Sequence, residues 1–145
     1  GEAAEACFVE NLRYAADAAA PRGHTILIEP LNHHDAPGYF LNHTEKARRI
    51  IEAVGAPNLK LMFDCYHIQI LEGDLTRRID ANLDITGHIQ FAGVPSRGRP
   101  DMGEVNYAHI FAHLAVRGYD VPLGAEYRPE AGDTDASLGW MAALR

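Results

Sequence analysis

The chain has 145 residues, 47% hydrophobic and 23% charged, with 20 Asp and Glu against 13 Lys and Arg for a formal net charge of −7. This size and apolar content exclude a disordered chain and fit a single domain over 1–145, while the acidic balance excludes a nucleic-acid backbone as an expected partner. Apolar runs as short as Ile26 to Ile28 or Leu61 to Phe63, none near the roughly 20 residues of a span, exclude a membrane-spanning helix, and two cysteines, Cys7 and Cys65, make no disulfide framework. A soluble, cytoplasmic protein is expected.

In chain order, residues 2–20 carry Phe8, Leu12 and Ala15 at helical spacing. The helix begins without a capping residue, as though something preceded it. Pro21 to His24 punctuates, and Thr25 to Pro30 reads as an apolar, β-branched strand. A polar loop with Asn32, His33, His34 and Gly38 leads to a helix over 43–54, with Asn42 or Thr44 as candidate cap and Gly55 beyond its end. Leu59 to Asp64 is the next strand, followed by a helical stretch over 66–83 interrupted at Gly73. His88 to Gly93 reads as a third strand. The loop after it, to about residue 104, is rich in Gly and Pro and carries Arg97 and Arg99. Helix 106–117, strand 121–127 and a short helix over 135–144 complete the alternation.

Continuous apolar strands, each followed by a helix, imply a parallel sheet covered by helices. No Gly-rich phosphate-binding turn opens any of these helices, which favours a (β/α) barrel over a doubly wound sheet. A barrel places functional residues at the C-terminal ends of its strands. Glu29, Asp64, Gln90 and Glu126 occupy those positions in four successive units. A lone acid at a strand end is often only a cap or a surface charge, but four hard oxygen donors in four units form a first shell for a divalent cation. Without one, converging carboxylates would repel one another and raise at least one pKa.

The local words resemble those of the hydroxypyruvate isomerase family, within the xylose-isomerase-like TIM barrels. They are Ile28-Glu29-Pro30-Leu31-Asn32, Phe63-Asp64-Cys65-Tyr66-His67, Ile89-Gln90-Phe91-Ala92-Gly93-Val94-Pro95, Gly103-Glu104-Val105-Asn106-Tyr107 and Glu126-Tyr127-Arg128-Pro129. The resemblance spans nearly the whole chain and corresponds to the later half of the family barrel, so four of the usual eight strands are expected. It implies Glu29, Asp64, Gln90 and Glu126 as ligands of one Mg²⁺ or Mn²⁺. Glu29 and Glu126 are then proton donor and acceptor in the interconversion of hydroxypyruvate with tartronate semialdehyde (2-hydroxy-3-oxopropanoate), or of a related 2-oxo-tetronate.

The chemistry suits these residues. Moving a carbonyl to its neighbour requires removing one proton and returning another through an enediolate, work for two carboxylates and a cation. A hydride shift is the competing mechanism. His67, one turn after Asp64, is placed as a substrate-binding residue. His88, two residues before Gln90, faces the same side of its strand and is a second substrate-side candidate, with a packing role as the alternative. Arg97 is the expected clamp for a substrate carboxylate. The family commonly reads Arg-His-Glu-Pro where this chain has Arg97-Gly98-Arg99-Pro100, so only the first basic residue corresponds. Cys65 is read as packing.

The expected function is a metal-dependent isomerase of small hydroxy-oxo acids. A sugar or sugar-phosphate epimerase on the same barrel is one alternative, and an inactive half-barrel or assembly module is another. A zinc-dependent abasic-site nuclease would need more metal histidines and a basic surface. Four βα units leave open sheet edges, so a missing N-terminal half or a second copy is expected to complete the barrel.

Overall fold

Four short runs pair edge to edge in chain order. β1 (Ile26–Ile28), β2 (Leu59–Asp64), β3 (Thr86–Phe91) and β4 (Gly124–Ala125) form one parallel sheet ordered β1-β2-β3-β4, in a computed structural model that describes residues 1–144. The connections are helical: α1 (Glu2–Ala19) precedes β1, α2 (Thr44–Val54) joins β1 to β2, and α3 (Cys65–Leu71) with α4 (Leu75–Asn82) joins β2 to β3. α5 (Tyr107–Val116) joins β3 to β4, and the two short helices α6 (Thr134–Ser137) and α7 (Trp140–Ala143) follow β4.

Side-chain alternation decides which face the helices cover. In β2, Leu59, Leu61 and Phe63 are almost wholly buried while Lys60 and Met62 are only half-buried. The covered face meets Val9, Leu12 and Ala16 of α1, Ala47, Ile50 and Ile51 of α2, Ile79 of α4, and Ile110 and Leu114 of α5. The sets from α1, α2 and α5 are drawn from the i, i+3, i+4, i+7 spacing that puts apolar groups on one helical stripe. Near β4 the core is aromatic: the Phe91 ring lies 4.9 Å from Phe111, 5.4 Å from Tyr107 and 5.7 Å from Trp140, centre to centre. The opposite face carries Leu27, Lys60, Met62, His88 and Gln90, all half-buried, and no helix among the described residues covers it.

Three expected elements differ in their bounds. The strand expected over 121–127 shrinks to Gly124–Ala125, because Pro122 has no N–H for the ladder and β4 has a neighbour on one side only. The third strand runs over Thr86–Phe91 rather than from His88, since Thr86 already pairs with Leu61 across a register shift. Its expected last residue, Gly93, instead forms an isolated antiparallel bridge with Gly98 in the following loop. The last helix is two, divided at Leu138 and Gly139.

The cap of α2 is neither of the expected residues. Glu72, which follows α3, sends its side chain across so that Thr44 donates to it through N–H at 2.7 Å and through Oγ1 at 3.0 Å. Arg78 of α4 adds an ion pair at 3.0 Å to the same carboxylate, whose side chain is only 4% exposed. One acid therefore fixes the start of α2, the α3–α4 corner and α4 together. Glu72→Ala should lower the unfolding free energy by about 2 kcal/mol, read by urea denaturation, and Glu72→Gln, which keeps an acceptor, should lower it by less.

Candidate active site

Glu29 follows β1 directly and Asp64 ends β2. Asp64 is in register with Gln90 and Gln90 with Gly124, while the Glu126 N–H donates to the Phe91 carbonyl at 3.1 Å and carries the β4 line two residues on. Parallel neighbours share a face and residues two apart share a face. Glu29, Asp64, Gln90 and Glu126 consequently belong to the uncovered side of the sheet, at its C-terminal end. Gly124 permits this close approach, since a Cβ there would come within 2.8 Å of His88 Nε2.

Three atoms converge at that end. Glu29 Oε1 and Asp64 Oδ2 each lie 3.9 Å from His67 Nε2, the three are within 4.8 Å of one another, and none has a hydrogen-bond partner although all are buried. Asp64 divides its oxygens: Oδ1 accepts the Tyr66 N–H at 2.8 Å and caps α3, which leaves Oδ2 for the cluster. One helical turn on, His67 is 1% exposed, and its Nδ1 accepts the Asn32 main-chain N–H at 3.0 Å.

Burial, followed by the neighbouring charges of Asp64 and Glu126, pushes the Glu29 carboxyl up to about 7. Burial also pushes Asp64 up to about 6, against the Tyr66 N–H and the Arg97 charge. Burial and then the Arg97 charge bring His67 down to about 4. Both carboxyls are raised chiefly by burial, which the Arg97 charge offsets only in part.

Arg97 supplies the positive charge that the protein itself provides. Nη2 pairs with Glu126 at 2.8 Å and lies 4.0 Å from Asp64 Oδ2; Nη1 pairs with Asp35 at 3.2 Å, and the guanidinium lies 5.0 Å from the centre of the Tyr66 ring. Asp35 stays ionised below the usual carboxylate range: hydrogen bonds from Tyr66 and Asn32, with the Arg97 charge, outweigh its burial. The Arg97 carbonyl in turn accepts the Arg128 N–H at 2.7 Å, so the loop after β3 is pinned to the loops after β1 and β4.

The structure brings Glu29, Asp64, His67, Arg97 and Glu126 into one neighbourhood, but not all in one cluster. Glu126 is engaged with Arg97 and its side chain is 53% exposed. His88 packs toward Gly124, one alternation back from Gln90. Arg99 pairs with Asp101 at 2.6 Å, and Glu104 accepts from Gln69 at 3.2 Å. Cys65 is fully buried, with its thiol pushed up by burial and the Asp64 charge, as a packing residue would be. Sequence reasoning gave no role to Asn32 or Asp35. Their spacing is the available signal, because an Asn whose side chain accepts main-chain N–H groups two and three residues on closes a tight Asx turn.

Glu29 and Asp64 fit a divalent cation: each offers an unpartnered buried oxygen, and burial disfavours the ionised form of each without a positive partner. A parallel sheet that gathers carboxylates at the C-terminal ends of its strands defines part of a (β/α) barrel. Residues 1–144 match the model of the xylose isomerase-like TIM barrels, and the chain belongs to that family. It is 52% identical over 136 residues to the 2-oxo-tetronate isomerase of Cupriavidus necator, covering 94% of this chain and 52% of that protein. It is 42% identical over 144 residues to the hydroxypyruvate isomerase of Escherichia coli, covering 99% of this chain and 55% of that one. A solved structure called an AP endonuclease, family 2, from Brucella melitensis superposes with a TM-score of 0.93 at 45% identity, over 99% of this chain and 55% of that chain. The chain thus spans about half the length of the curated relatives it matches. Among the described residues no helix is long and apolar enough to cross a membrane.

The shifted groups set the pH dependence of the metal-free fold. Glu29 and Asp64 hold protons in the folded state over windows, 4.5 to about 7 and 3.8 to about 6, in which the unfolded chain has released them. Stability therefore falls as pH rises through those windows. His67 works the other way between about 4 and 6.5, so one uncompensated carboxyl remains between about pH 4.5 and 6. Metal-free protein should lose about 5 °C of melting temperature across that interval. Adding Mg²⁺ or Mn²⁺ at pH 7 should restore it, as a calorimetric scan would show.

Proposed function

We propose that this chain carries the metal-binding and proton-transferring side of an isomerase of small hydroxy-oxo acids. Hydroxypyruvate and its isomer tartronate semialdehyde, or a 2-oxo-tetronate, are the substrates of this reading. The observation that carries it is the convergence of unpartnered Glu29 and Asp64 oxygens beside His67 at the strand ends. The names of the relatives agree in reaction type.

Glu29, Asp64, Gln90 and Glu126 would hold one Mg²⁺ or Mn²⁺, an all-oxygen set suited to hard cations. When bound, the cation polarises a carbonyl and offsets negative charge developing on the substrate. Glu29 takes a proton from the carbon beside the carbonyl and Glu126 returns one to its neighbour, or the reverse. His67 addresses a substrate oxygen, and His88 lines the same face behind Gln90. An anionic substrate would be repelled by this acidic neighbourhood, and Arg97 offsets the repulsion while offering paired N–H donors to a carboxylate. A phosphodiester backbone fits poorly with a chain of net charge −7. The uncovered face of the sheet is completed, in this reading, by the remaining strands of one barrel domain, from an N-terminal half or a second copy, in the cytoplasm.

Proton magnetic resonance of hydroxypyruvate in D₂O with the protein and Mn²⁺ or Mg²⁺ tests the reading. Conversion with deuterium incorporation is expected; conversion without incorporation would replace proton transfer by a hydride shift. Failure on hydroxypyruvate and on 2-oxo-tetronates alike would overturn the assignment. Glu29→Gln and Glu126→Gln should each lower kcat by about 10²–10⁴-fold. Arg97→Lys should raise KM roughly tenfold with a smaller effect on kcat, because the planar fork is lost while the charge remains.

A further inference from the structure

Asn32 is completely buried (0% exposed) in the loop after β1, and every polar atom of its side chain is used. Its Oδ1 accepts the N–H groups of His34 and Asp35, both at 3.0 Å. Those two donors fix the orientation of the carboxamide: the oxygen must face them, so the amide nitrogen is turned toward His67. Nδ2 lies 2.8 Å from His67 Nδ1, and the Asn32 main-chain N–H donates to the same ring nitrogen at 3.0 Å. A ring nitrogen that receives two N–H donors has no room for its own proton. The neutral imidazole then carries its proton on Nε2, the atom 3.9 Å from Glu29 Oε1 and from Asp64 Oδ2.

A protonated Nε2 has no lone pair for a cation. We propose that Asn32 is a positioning residue that fixes His67 as an Nε2–H hydrogen-bond donor and so keeps it out of the ligand set that distance alone would give it. The donor's target, a substrate oxygen, rests on the isomerase reading above; the tautomer does not. The same carboxamide oxygen holds the main chain of Asp35, whose carboxylate takes Arg97 Nη1 at 3.2 Å. One buried residue thus sets the proton position on His67, through its main-chain N–H and its carboxamide, and through the carboxamide oxygen the anchor of Arg97.

The test is long-range ¹H–¹⁵N spectroscopy of the histidine rings in the metal-free, ¹⁵N-labelled protein near pH 7, with His67 assigned from a His67→Gln spectrum. The expected wild-type pattern is a protonated-type Nε2 and an unprotonated-type Nδ1. Asn32→Asp places a carboxylate oxygen where the amide nitrogen was, so Nδ1 should become protonated. Asn32→Ala keeps the main-chain donor and should retain the wild-type pattern. In Asn32→Asp, kcat on the substrate that the wild type turns over should fall by about 10–100-fold.

A wild-type spectrum with Nδ1 protonated overturns the proposal, whatever the variants do. So does a folded Asn32→Asp protein that keeps the wild-type pattern. If Asn32→Asp does not fold, the wild-type and Asn32→Ala spectra decide: Nδ1 unprotonated in both supports the proposal, and Nδ1 protonated in either overturns it. A tautomer that responds as expected in a protein that turns over no hydroxy-oxo acid supports the Asn32 assignment and overturns the isomerase reading.

Discussion

Asp64 stands where β2 turns into α3, and its two oxygens meet different demands. Oδ1 accepts the Tyr66 N–H and closes the start of the helix; Oδ2 is left buried beside Glu29 Oε1 with no donor of its own. Burying an unpaired carboxylate costs several kcal/mol. Strand register nevertheless gives it no alternative, because the alternation that buries Leu61 and Phe63 under the helices directs Asp64 to the other face. Arg97 is the nearest guanidinium, but it is shared among Asp35, Glu126 and, at 4.0 Å, Asp64. A single guanidinium cannot neutralise three carboxylates as well as Glu29. The fold therefore holds Glu29 and Asp64 in a state that favours either a proton or a cation, and the rest of the site is arranged around that shortage.

The loops beyond the strands make the shortage specific. Arg97 has a left-handed backbone (φ 55°), a conformation sparsely adopted outside glycine, and is held there from several directions. Its side chain pairs with the loops after β1 and β4, its carbonyl accepts the Arg128 N–H, and the Gly93–Gly98 bridge closes the hairpin that presents it. Gly103 lets the far end of that hairpin close, because a Cβ there would collide with the Val94 carbonyl. Three loops are thereby bound to one guanidinium. The distances among the acids are consequently properties of the loops as much as of the strands.

Much of this was legible in the sequence because it depends on local rules. Apolar runs ending in Glu29, Asp64, Gln90 and Glu126 require only period-two alternation and a parallel sheet to place all four on one face. What was not legible depends on contacts between residues distant in the chain. The cap of α2 comes from Glu72, 28 residues beyond Thr44, so a search among local Ser, Thr, Asn and Asp could not find it. Asn32 and Asp35 read as ordinary loop polar residues, since their partners His67 and Arg97 lie 35 and 62 residues on. The short β4 was misread for the opposite reason: Val121 to Glu126 is strand-like in composition, but Pro122 and the lack of a second neighbouring strand limit the ladder to two residues.

His67 shows why proximity does not by itself define a ligand set. Distances place its Nε2 with Glu29 and Asp64 as if the three atoms were equivalent donors to a cation. The chemistry of the trio is decided on the other side of the ring, where two N–H groups of Asn32 meet Nδ1. If that nitrogen accepts, Nε2 donates, and the trio separates into two ligands and one hydrogen-bond donor. With His67 removed, the remaining candidates Glu29, Asp64, Gln90 and Glu126 offer oxygen alone, which shifts the preference from borderline cations such as Zn²⁺ toward Mg²⁺ or Mn²⁺. A buried loop residue with no atom in the cluster would then influence which cation the acids select.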